Sequence, residues 1–248
     1  MPLLYLMLEL NFKMQLFYNP SISKTDLSFV FNKDESKHII KVLRKKEGDI
    51  LFVTNGLGYL FKTEIQLASD SKCTVKILSF EIQEKSKYHL HLVVAPTKMN
   101  ERYEWFLEKA TEIGIHEITP IICDNSERKI IKIDRFQKII ESAMKQSLHY
   151  FIPKINEPIL YKEFVKKDYN GQKYIAHCEE NYKSSLKSQL LLNENVTILI
   201  GPEGDFSTKE ITLALENNYI PVTLGRTRLR TETAAVVACH SVAYHNQI

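Results

Sequence analysis

The sequence lacks the cysteine and histidine patterns that mark several classes of protein. Its four cysteines, Cys73, Cys123, Cys178 and Cys239, are widely spaced, and no C-x-x-C pair is present. This distribution argues against a disulfide framework and against a zinc site, and it indicates a reducing compartment. The eight histidines show no metal-ligand spacing. We therefore expect a cytoplasmic protein that holds no metal.

Long apolar runs and a strong charge imbalance are absent as well. The 33 basic and 30 acidic side chains leave a formal net charge of only +3, which does not by itself indicate a nucleic-acid partner. The apolar segment at residues 1–12 is shorter than the roughly 20 residues that cross a bilayer, and it lacks the features of a signal peptide. We expect no membrane association, and we interpret residues 1–13 as a leader or a misassigned start before a domain that begins at Met14.

The first part of the chain, residues 14–82, follows a β pattern. Five short segments rich in β-branched and aromatic residues lie here, and NGLG at 55–58 is typical of a hairpin turn between two of them. One helical segment interrupts them at about 34–43. Several short strands with one helix predict a small barrel domain, followed by a polar linker at 83–87.

The second part, residues 88–248, alternates between strand and helix patterns. The apolar segments HLHLVVA, EITPII, YIAHC, NVTILI and IPVTL predict strands, and amphipathic segments between them predict helices. This alternation is typical of an α/β domain with a parallel sheet and helices on both faces.

Two turns stand out because ligands of parallel sheets bind beyond the carboxyl ends of the strands. NVTILI leads directly into GPEGDFSTKE, in which Ser207 and Glu210 form a capping box that begins a helix. IPVTL leads into GRTRLRTETAA, in which Thr231 is predicted to cap the last helix and Glu232 lies favourably near its N-terminus.

The first of these turns is acidic, which argues against a phosphate ligand. Glu203 and Asp205 lie where a phosphate-binding loop carries lysine, and neither G-x-x-x-x-G-K nor G-x-G-x-x-G is present. Acid beside backbone amides suits a ligand with ribose hydroxyls and a positive charge, such as S-adenosylmethionine. The spacing alone leaves equally open a tight turn whose acids are merely solvated.

Several motifs together carry a specific resemblance. They are IGPEG at 200–204, LG at 224–225, LRTETAA at 229–235 and KATE at 109–112. The chain resembles the RsmE family of ribosomal RNA uridine-N3 methyltransferases, within the SPOUT superfamily, over essentially all of Met14 to Tyr244. One departure is Asp205, where the family usually has a second glycine; aspartate tolerates left-handed backbone geometry better than most residues, so we expect the turn to survive.

The resemblance implies a fold that general topology rules would reject. It implies a SPOUT-type parallel sheet with a C-terminal trefoil knot, preceded by a PUA-like β-barrel. It also implies S-adenosylmethionine bound by the knot loops, with a third loop after the strand near Ala176. The candidate cofactor-binding residues are Ile200, Gly201, Pro202, Glu203, Gly204, Leu224, Gly225, Leu229, Thr231, Thr233 and Ala234.

The implied reaction methylates N3 of a uridine in 16S ribosomal RNA on the 30S subunit. The uracil must lose a proton, and an arginine beside the cofactor would stabilise the resulting anion. Arg230 is the candidate; its alternative role is a structural ion pair with Glu232 or Glu203. Glu232 is the candidate general base, but a carboxylate at a helix N-terminus is weakly basic, so that role stays open.

The predicted RNA contacts lie in both parts of the chain. On the helix at 34–43 and just beyond, Lys37, Lys41 and Arg44 follow a spacing of four and three residues, which places them on one stripe, with Ile39, Val42 and Leu43 on another. Such a stripe is usually a solvated face, but the resemblance favours phosphate contact. The candidate RNA-binding residues are Lys37, His38, Lys41, Arg44, Lys45, Arg226 and Arg228.

The apolar character of TAAVVACHSVAY at 233–244 predicts a two-fold homodimer interface, which the resemblance also implies. Two alternative functions stay open. A SPOUT methyltransferase acting on transfer RNA is one, although the barrel and KATE segment favour ribosomal RNA. A non-catalytic RNA-binding protein with a degenerate knot is the other, although the intact GPEG and LRTETA turns argue against it.

Overall fold

The computed structural model describes residues 14–179 and 183–246. The proposed leader at 1–13 lies outside the described residues. The chain forms two compact units, and the first contains residues 144–152 in addition to the N-terminal part up to Lys85. No strand or helix pattern predicts this addition, and the domain boundaries drawn from the sequence stay a prediction.

The first unit is built on a five-stranded sheet with the order β1-β3-β4-β5-β2. Its strands are β1 (Leu16–Tyr18), β2 (Ser28–Val30), β3 (Ile50–Thr54), β4 (Tyr59–Leu67) and β5 (Thr74–Ile82). β1 pairs with β3 in parallel, whereas the other pairs are antiparallel. The predicted turn at 55–58 joins β3 to β4, and Gly56 and Gly58 both take a positive φ there. The hairpin prediction is confirmed.

The helix predicted at 34–43 is not one continuous α-helix. Helix α1 (Lys33–Lys37) is followed by a π-helix, His38–Val42, and then by Arg44 with a left-handed φ of 56°. The prediction of one α-helix is therefore wrong, and the wider π turn changes the spacing of the side chains along the segment, although Lys37, Lys41 and Arg44 are all exposed. Val42, predicted on the apolar stripe, is 65% exposed, whereas Ile39 is fully buried.

The second unit is built on an eight-stranded sheet with the order β11-β13-β10-β12-β6-β7-β8, and β9 pairs with β7. Its strands are β6 (Leu90–Val94), β7 (Glu117–Ile122), β8 (Lys154–Ile155), β9 (Ile159–Leu160), β10 (Gln172–Ala176), β11 (Ser184–Ser185), β12 (Val196–Ile200) and β13 (Ile220–Thr223). All of these pairings are parallel, which confirms the predicted sheet.

The helices of this unit follow the strands. They are α2 (Asn100–Ile113), α3 (Ile133–Gln146, whose residues from Met144 onward belong to the first unit), α4 (Tyr161–Phe164), α5 (Leu186–Gln189), α6 (Thr208–Glu216) and α7 (Thr231–Asn246). Helices α2 and α7 pack against each other and α7 packs against β6. Every residue of β6 and β12 is buried, as expected for central strands of a sheet covered on both faces. The trefoil knot stays a prediction.

In the part of the chain that the structure describes, no helix combines the length and the apolar character needed to cross a membrane.

Candidate active site

A cleft lies where three neighbouring strands of the second unit end. β13, β10 and β12 are adjacent and parallel, so the segments that follow them meet at one edge of the sheet. Two cavities of about 390 and 300 Å³ adjoin there, and we call them together the strand-end cleft. The residues that line both cavities are Ala176, Cys178, Arg228, Leu229 and Ala234.

The turn after β12 forms the first wall of the cleft. Ser207 and Glu210 form the predicted capping box, with the Glu210 carboxylate accepting from the Ser207 amide at 2.8 Å. Asp205 takes a left-handed φ of 62°, so the expectation that this turn survives without a second glycine is confirmed. Its Oδ1 atom accepts from the Phe206 amide at 2.9 Å, and its Oδ2 atom accepts from the Cys178 amide at 2.7 Å.

The acids of this turn therefore hold backbone rather than lie free in solvent. Oε1 of Glu203 accepts from the Lys98 amide at 2.9 Å, and both oxygens of Asp205 are already bonded. The side-chain Nδ2 of Asn125 also donates to the carbonyl oxygens of Gly204 and Asp205, at 3.2 and 3.1 Å. The turn is consequently fixed from both sides before any ligand binds.

The turn after β13 forms the second wall. Thr231 is buried, and its hydroxyl donates to the carbonyl oxygen of Gly201 at 3.0 Å. The prediction that Thr231 caps the last helix is wrong, because Thr231 is itself the first residue of α7 and its hydroxyl is bonded elsewhere. The carbonyl oxygen of Arg230 instead accepts the first helical bond, from the Ala234 amide at 2.8 Å.

Arg230 is exposed and lines the cleft, and its guanidinium has no hydrogen-bond or ion-pair partner among the described residues. The alternative role, a structural pair with Glu232 or Glu203, is not what the structure shows. Oε1 of Glu232 lies 3.8 Å from Nε of Arg102. Glu232 is buried and does not line the cleft, and within residues 14–179 and 183–246 its Oε2 atom has no hydrogen-bond partner.

The third wall follows β10, and sequence reasoning identified its position near Ala176 but not its residues. His177, Cys178 and Lys183 line the larger cavity. Burial lowers the pKa of His177, and the nearby Lys183 ammonium lowers it further, so the imidazole is neutral at pH 7. The Lys183 ammonium donates to the carbonyl oxygens of His177 and Glu179 at 3.0 and 2.6 Å. His177 and Cys178 directly follow β10, which pairs with β12, and this position in the sequence could have identified them as residues of the cleft.

Most of the predicted cofactor residues meet in this cleft. Those that line it are Ile200, Gly201, Pro202, Glu203, Leu224, Gly225, Leu229, Thr231 and Ala234. Gly204 and Thr233 do not line it, and a Cβ atom on Gly204 would face Asn125 at 3.2 Å. Arg226 and Arg228 line the cleft, and Nη2 of Arg228 donates to the Glu203 carbonyl oxygen at 3.4 Å.

The remaining RNA candidates belong to the first unit. Lys37, Lys41 and Arg44 are exposed, and the Lys41 ammonium lies 3.4 Å from the Asp70 carboxylate. His38 and Lys45 are partly exposed. Among residues 14–179 and 183–246, no group of three or more His, Cys, Asp or Glu side chains is arranged to hold a metal ion.

Comparisons with known proteins identify the family. A model described as RNA methyltransferase domain matches residues 84–243, and a model described as RNA methyltransferase PUA domain matches residues 31–78. The ribosomal RNA small subunit methyltransferase E of Buchnera aphidicola from Acyrthosiphon pisum is 36% identical over 222 residues, which cover 85% of each chain. The chain belongs to this methyltransferase family. The predicted membership of the RsmE family is thereby confirmed, as is the PUA-like nature of the first domain.

Solved structures of relatives extend the agreement over nearly the whole chain. A probable rRNA methyltransferase from Porphyromonas gingivalis is 38% identical with a TM-score of 0.86, and the match covers 93% of this chain and 99% of that one. A putative methyltransferase from Legionella pneumophila, solved with the cofactor S-adenosylmethionine, is 28% identical with a TM-score of 0.85 over 94% and 98% of the chains. The SPOUT-type fold of the second unit is therefore confirmed.

The strand-end cleft fits S-adenosylmethionine. Ile200, Leu224 and Leu229 offer apolar surface for an aromatic ring, while the two turns offer main-chain polar groups. No glycine-rich phosphate cradle with a lysine is present in these turns. Among the relatives, the methyltransferase E of Neisseria gonorrhoeae was likewise solved with S-adenosylmethionine; it is 25% identical with a TM-score of 0.79 over 91% and 95% of the chains.

Proposed function

We propose that this protein transfers the methyl group of S-adenosylmethionine to N3 of a uridine in 16S ribosomal RNA. Family membership supports the reaction class, since the relatives are named as small-subunit ribosomal RNA methyltransferases. The observation that carries the proposal is the guanidinium of Arg230, which has no partner among the described residues and lies at a cleft that fits the cofactor. Neither alternative function has comparable support.

The residues that line the strand-end cleft would hold the cofactor. Bound S-adenosylmethionine supplies an electrophilic methyl group. The main chain around Gly201 and Leu229 fixes the position of the ligand, because the bond from Thr231 to Gly201 joins the two turns. A fixed ligand and a fixed acceptor base lower the entropic part of the activation barrier.

Arg230 stabilises the uracil anion that loss of the N3 proton leaves. Its backbone is fixed by the first helical bond of α7, and its side chain has no competing partner in the described part of the chain. A cation whose backbone is fixed and whose donors are uncommitted can act on developing charge. Glu232 is closed to solvent, so we assign it no proton transfer.

We also propose a homodimer that acts on the 30S subunit in the cytoplasm. Half of α7 packs inside its own unit, where Ala235, Ala238 and Val242 are buried. The outer half still exposes 59% of Tyr244, and neighbouring α2 exposes 43% of Trp105. These aromatic rings suit a second copy of the chain. The four free cysteines support a reducing compartment.

The decisive experiment is to incubate the protein with labelled S-adenosylmethionine and unmodified 30S subunits, and then to map the modified base. We expect one methylated uridine with the methyl group on N3. Label incorporated into transfer RNA but not into 30S subunits would contradict the proposed substrate. Binding of RNA without incorporation of label would contradict the proposed activity.

A further inference from the structure

A basic side chain near the cleft is held by the buried carboxylate of Glu232, and sequence reasoning did not identify it. Arg102 lies in the first turn of α2, and its Nε atom is 3.8 Å from Oε1 of Glu232. The Arg102 side chain is 40% exposed, whereas that of Glu232 is only 9% exposed. The guanidinium of Arg102 is therefore open to solvent, while the carboxylate beside it is buried.

This ion pair leaves most of the N–H donors of the Arg102 guanidinium available for another partner. A separation of 3.8 Å exceeds the length of a hydrogen bond. Arginine carries five N–H donors in a planar fork, and Arg102 makes no other ion pair in the part of the chain that the structure describes. Those donors are free to bind a second anion while Glu232 restricts the direction of the side chain.

The position of Arg102 places it on the edge of the sheet that carries the cleft. Helix α2 follows β6, whose residue Val94 pairs with Ile200 of β12, directly before the first turn of the cleft. The β6–α2 connection is fastened to that turn by the bond from the Lys98 amide to Glu203. Glu232 itself lies two residues after Arg230.

Arg226, Arg228 and Arg230 of the β13–α7 connection line the cleft, and the neighbouring β6–α2 segment adds two further cations, Lys98 and Arg102. The acids beside them are largely used in holding this arrangement. The Glu127 carboxylate lies 2.8 Å from the Lys98 ammonium, Oε1 of Glu203 accepts from the Lys98 amide, and Oε1 of Glu232 lies 3.8 Å from Nε of Arg102; Glu101 is exposed.

We propose that Arg102 binds a backbone phosphate of the substrate RNA beside the target nucleotide, and that Glu232 is the positioning residue that orients it. The guanidinium fork matches a phosphate in two parallel hydrogen bonds. Glu232 then acts on the reaction through Arg102, which accounts for a buried carboxylate that does not reach the cleft. This inference rests on the proposed function and adds a phosphate subsite to it.

The test measures methylation of 30S subunits by Arg102→Ala, Arg102→Lys and Glu232→Gln, together with RNA affinity at several salt concentrations. Arg102→Ala is expected to raise the KM for 30S subunits about tenfold, as for the loss of a charge-assisted hydrogen bond. It should reduce the slope of log affinity against log salt by roughly 0.7–0.9, the value for one lost phosphate contact. Arg102→Lys should restore the slope but only part of the KM, and Glu232→Gln should raise KM a few-fold with little change in kcat.

Arg135→Ala is the matched control. Arg135 is an exposed arginine of the same unit, paired with Glu104 at 2.7 Å, and it does not line the cleft. Its removal should leave KM and the salt slope unchanged. A wild-type KM and slope for Arg102→Ala would overturn the inference while leaving the proposed function intact. A loss confined to S-adenosylmethionine affinity, measured by calorimetry, or to melting temperature would also overturn it. Failure of the wild-type protein to methylate 30S subunits would instead contradict the proposed function.

Discussion

The hydroxyl of Thr231 donates to the carbonyl oxygen of Gly201 at 3.0 Å, although 30 residues of sequence separate them. Both residues are buried. The bond ties the start of α7 to the start of the turn after β12. The two turns that sequence reasoning identified separately are therefore held as one structural element around the cleft.

Replacement of Thr231 by valine should loosen both turns. Valine keeps the shape of threonine but leaves the buried carbonyl of Gly201 without its partner, a loss of about 1–3 kcal/mol. We expect a lower free energy of unfolding and a roughly tenfold weaker affinity for S-adenosylmethionine, measured by denaturation and calorimetry. Thr212→Val is the control, because Thr212 is exposed and its hydroxyl bonds only within its own helix, at 2.9 Å from the Thr208 carbonyl oxygen. Equal cofactor affinity in both variants would refute the coupling of the turns.

The sequence predicted the elements whose causes are local. The segments of apolar and β-branched residues predicted the strands of the sheet, and the Ser207–Glu210 capping box predicted the start of α6. The order of strands and turns predicted the position of the cleft. Each of these depends on residues a few positions apart, so the printed sequence contains the signal.

The features that the sequence did not predict depend on contacts between distant residues. Threonine is a common helix-capping residue, so the sequence predicts that Thr231 is a cap. Only the fold shows that its hydroxyl donates to the carbonyl oxygen of Gly201 instead. The π turn after α1 contains no proline or glycine that would predict it. Arg102 and Glu232 lie in separate helices, so their pairing requires the packing of α2 on α7.

Asp205 joins the first and third walls of the cleft, and its substitution should separate two effects. Asp205→Gly keeps the left-handed backbone but loses both side-chain hydrogen bonds, including that from the Cys178 amide. Asp205→Ala loses the bonds and adds about 1–2 kcal/mol of left-handed strain. We expect both variants to bind S-adenosylmethionine more weakly and only the alanine variant to unfold at markedly lower denaturant. Wild-type affinity in Asp205→Gly would show that the bond to Cys178 does not shape the cleft.

Cys178 provides a direct report of cofactor binding. It is exposed and lines the cleft, whereas Cys73, Cys123 and Cys239 are buried. Burial raises the pKa of all three buried thiols, that of Cys239 to about 12, so they form little reactive thiolate. We expect one rapidly alkylated thiol in the native protein, absent in Cys178→Ala. Saturating S-adenosylmethionine should slow its alkylation by about the ratio of ligand concentration to Kd. An alkylation rate that the cofactor does not change would place the cofactor elsewhere.

Three arginines follow β13, and the structure gives them different surroundings. Arg226 and Arg228 lie in the turn, and Arg228 is partly engaged by the Glu203 carbonyl oxygen. Arg230 stands directly before α7, where its carbonyl oxygen accepts the first helical bond, while its guanidinium has no partner in residues 14–179 and 183–246. Arg230 is therefore the arginine with the best-fixed backbone and an uncommitted guanidinium, and the other two are better placed to meet phosphates.

Arg230→Ala should consequently separate chemistry from binding. We expect S-adenosylmethionine affinity within a few-fold of wild type and a single-turnover rate of methyl transfer that is roughly 10²–10³ lower, the scale for loss of one preorganised donor to a developing anion. Arg226→Ala is the matched control, because it removes the same charge from the same turn. That variant should weaken RNA binding and flatten its salt dependence, and its rate on saturating 30S subunits should stay near wild type. A wild-type single-turnover rate for Arg230→Ala on saturating 30S subunits would show that Arg230 does not stabilise the anion. Saturation removes any effect of weaker RNA binding, so the measured rate reports the chemical step.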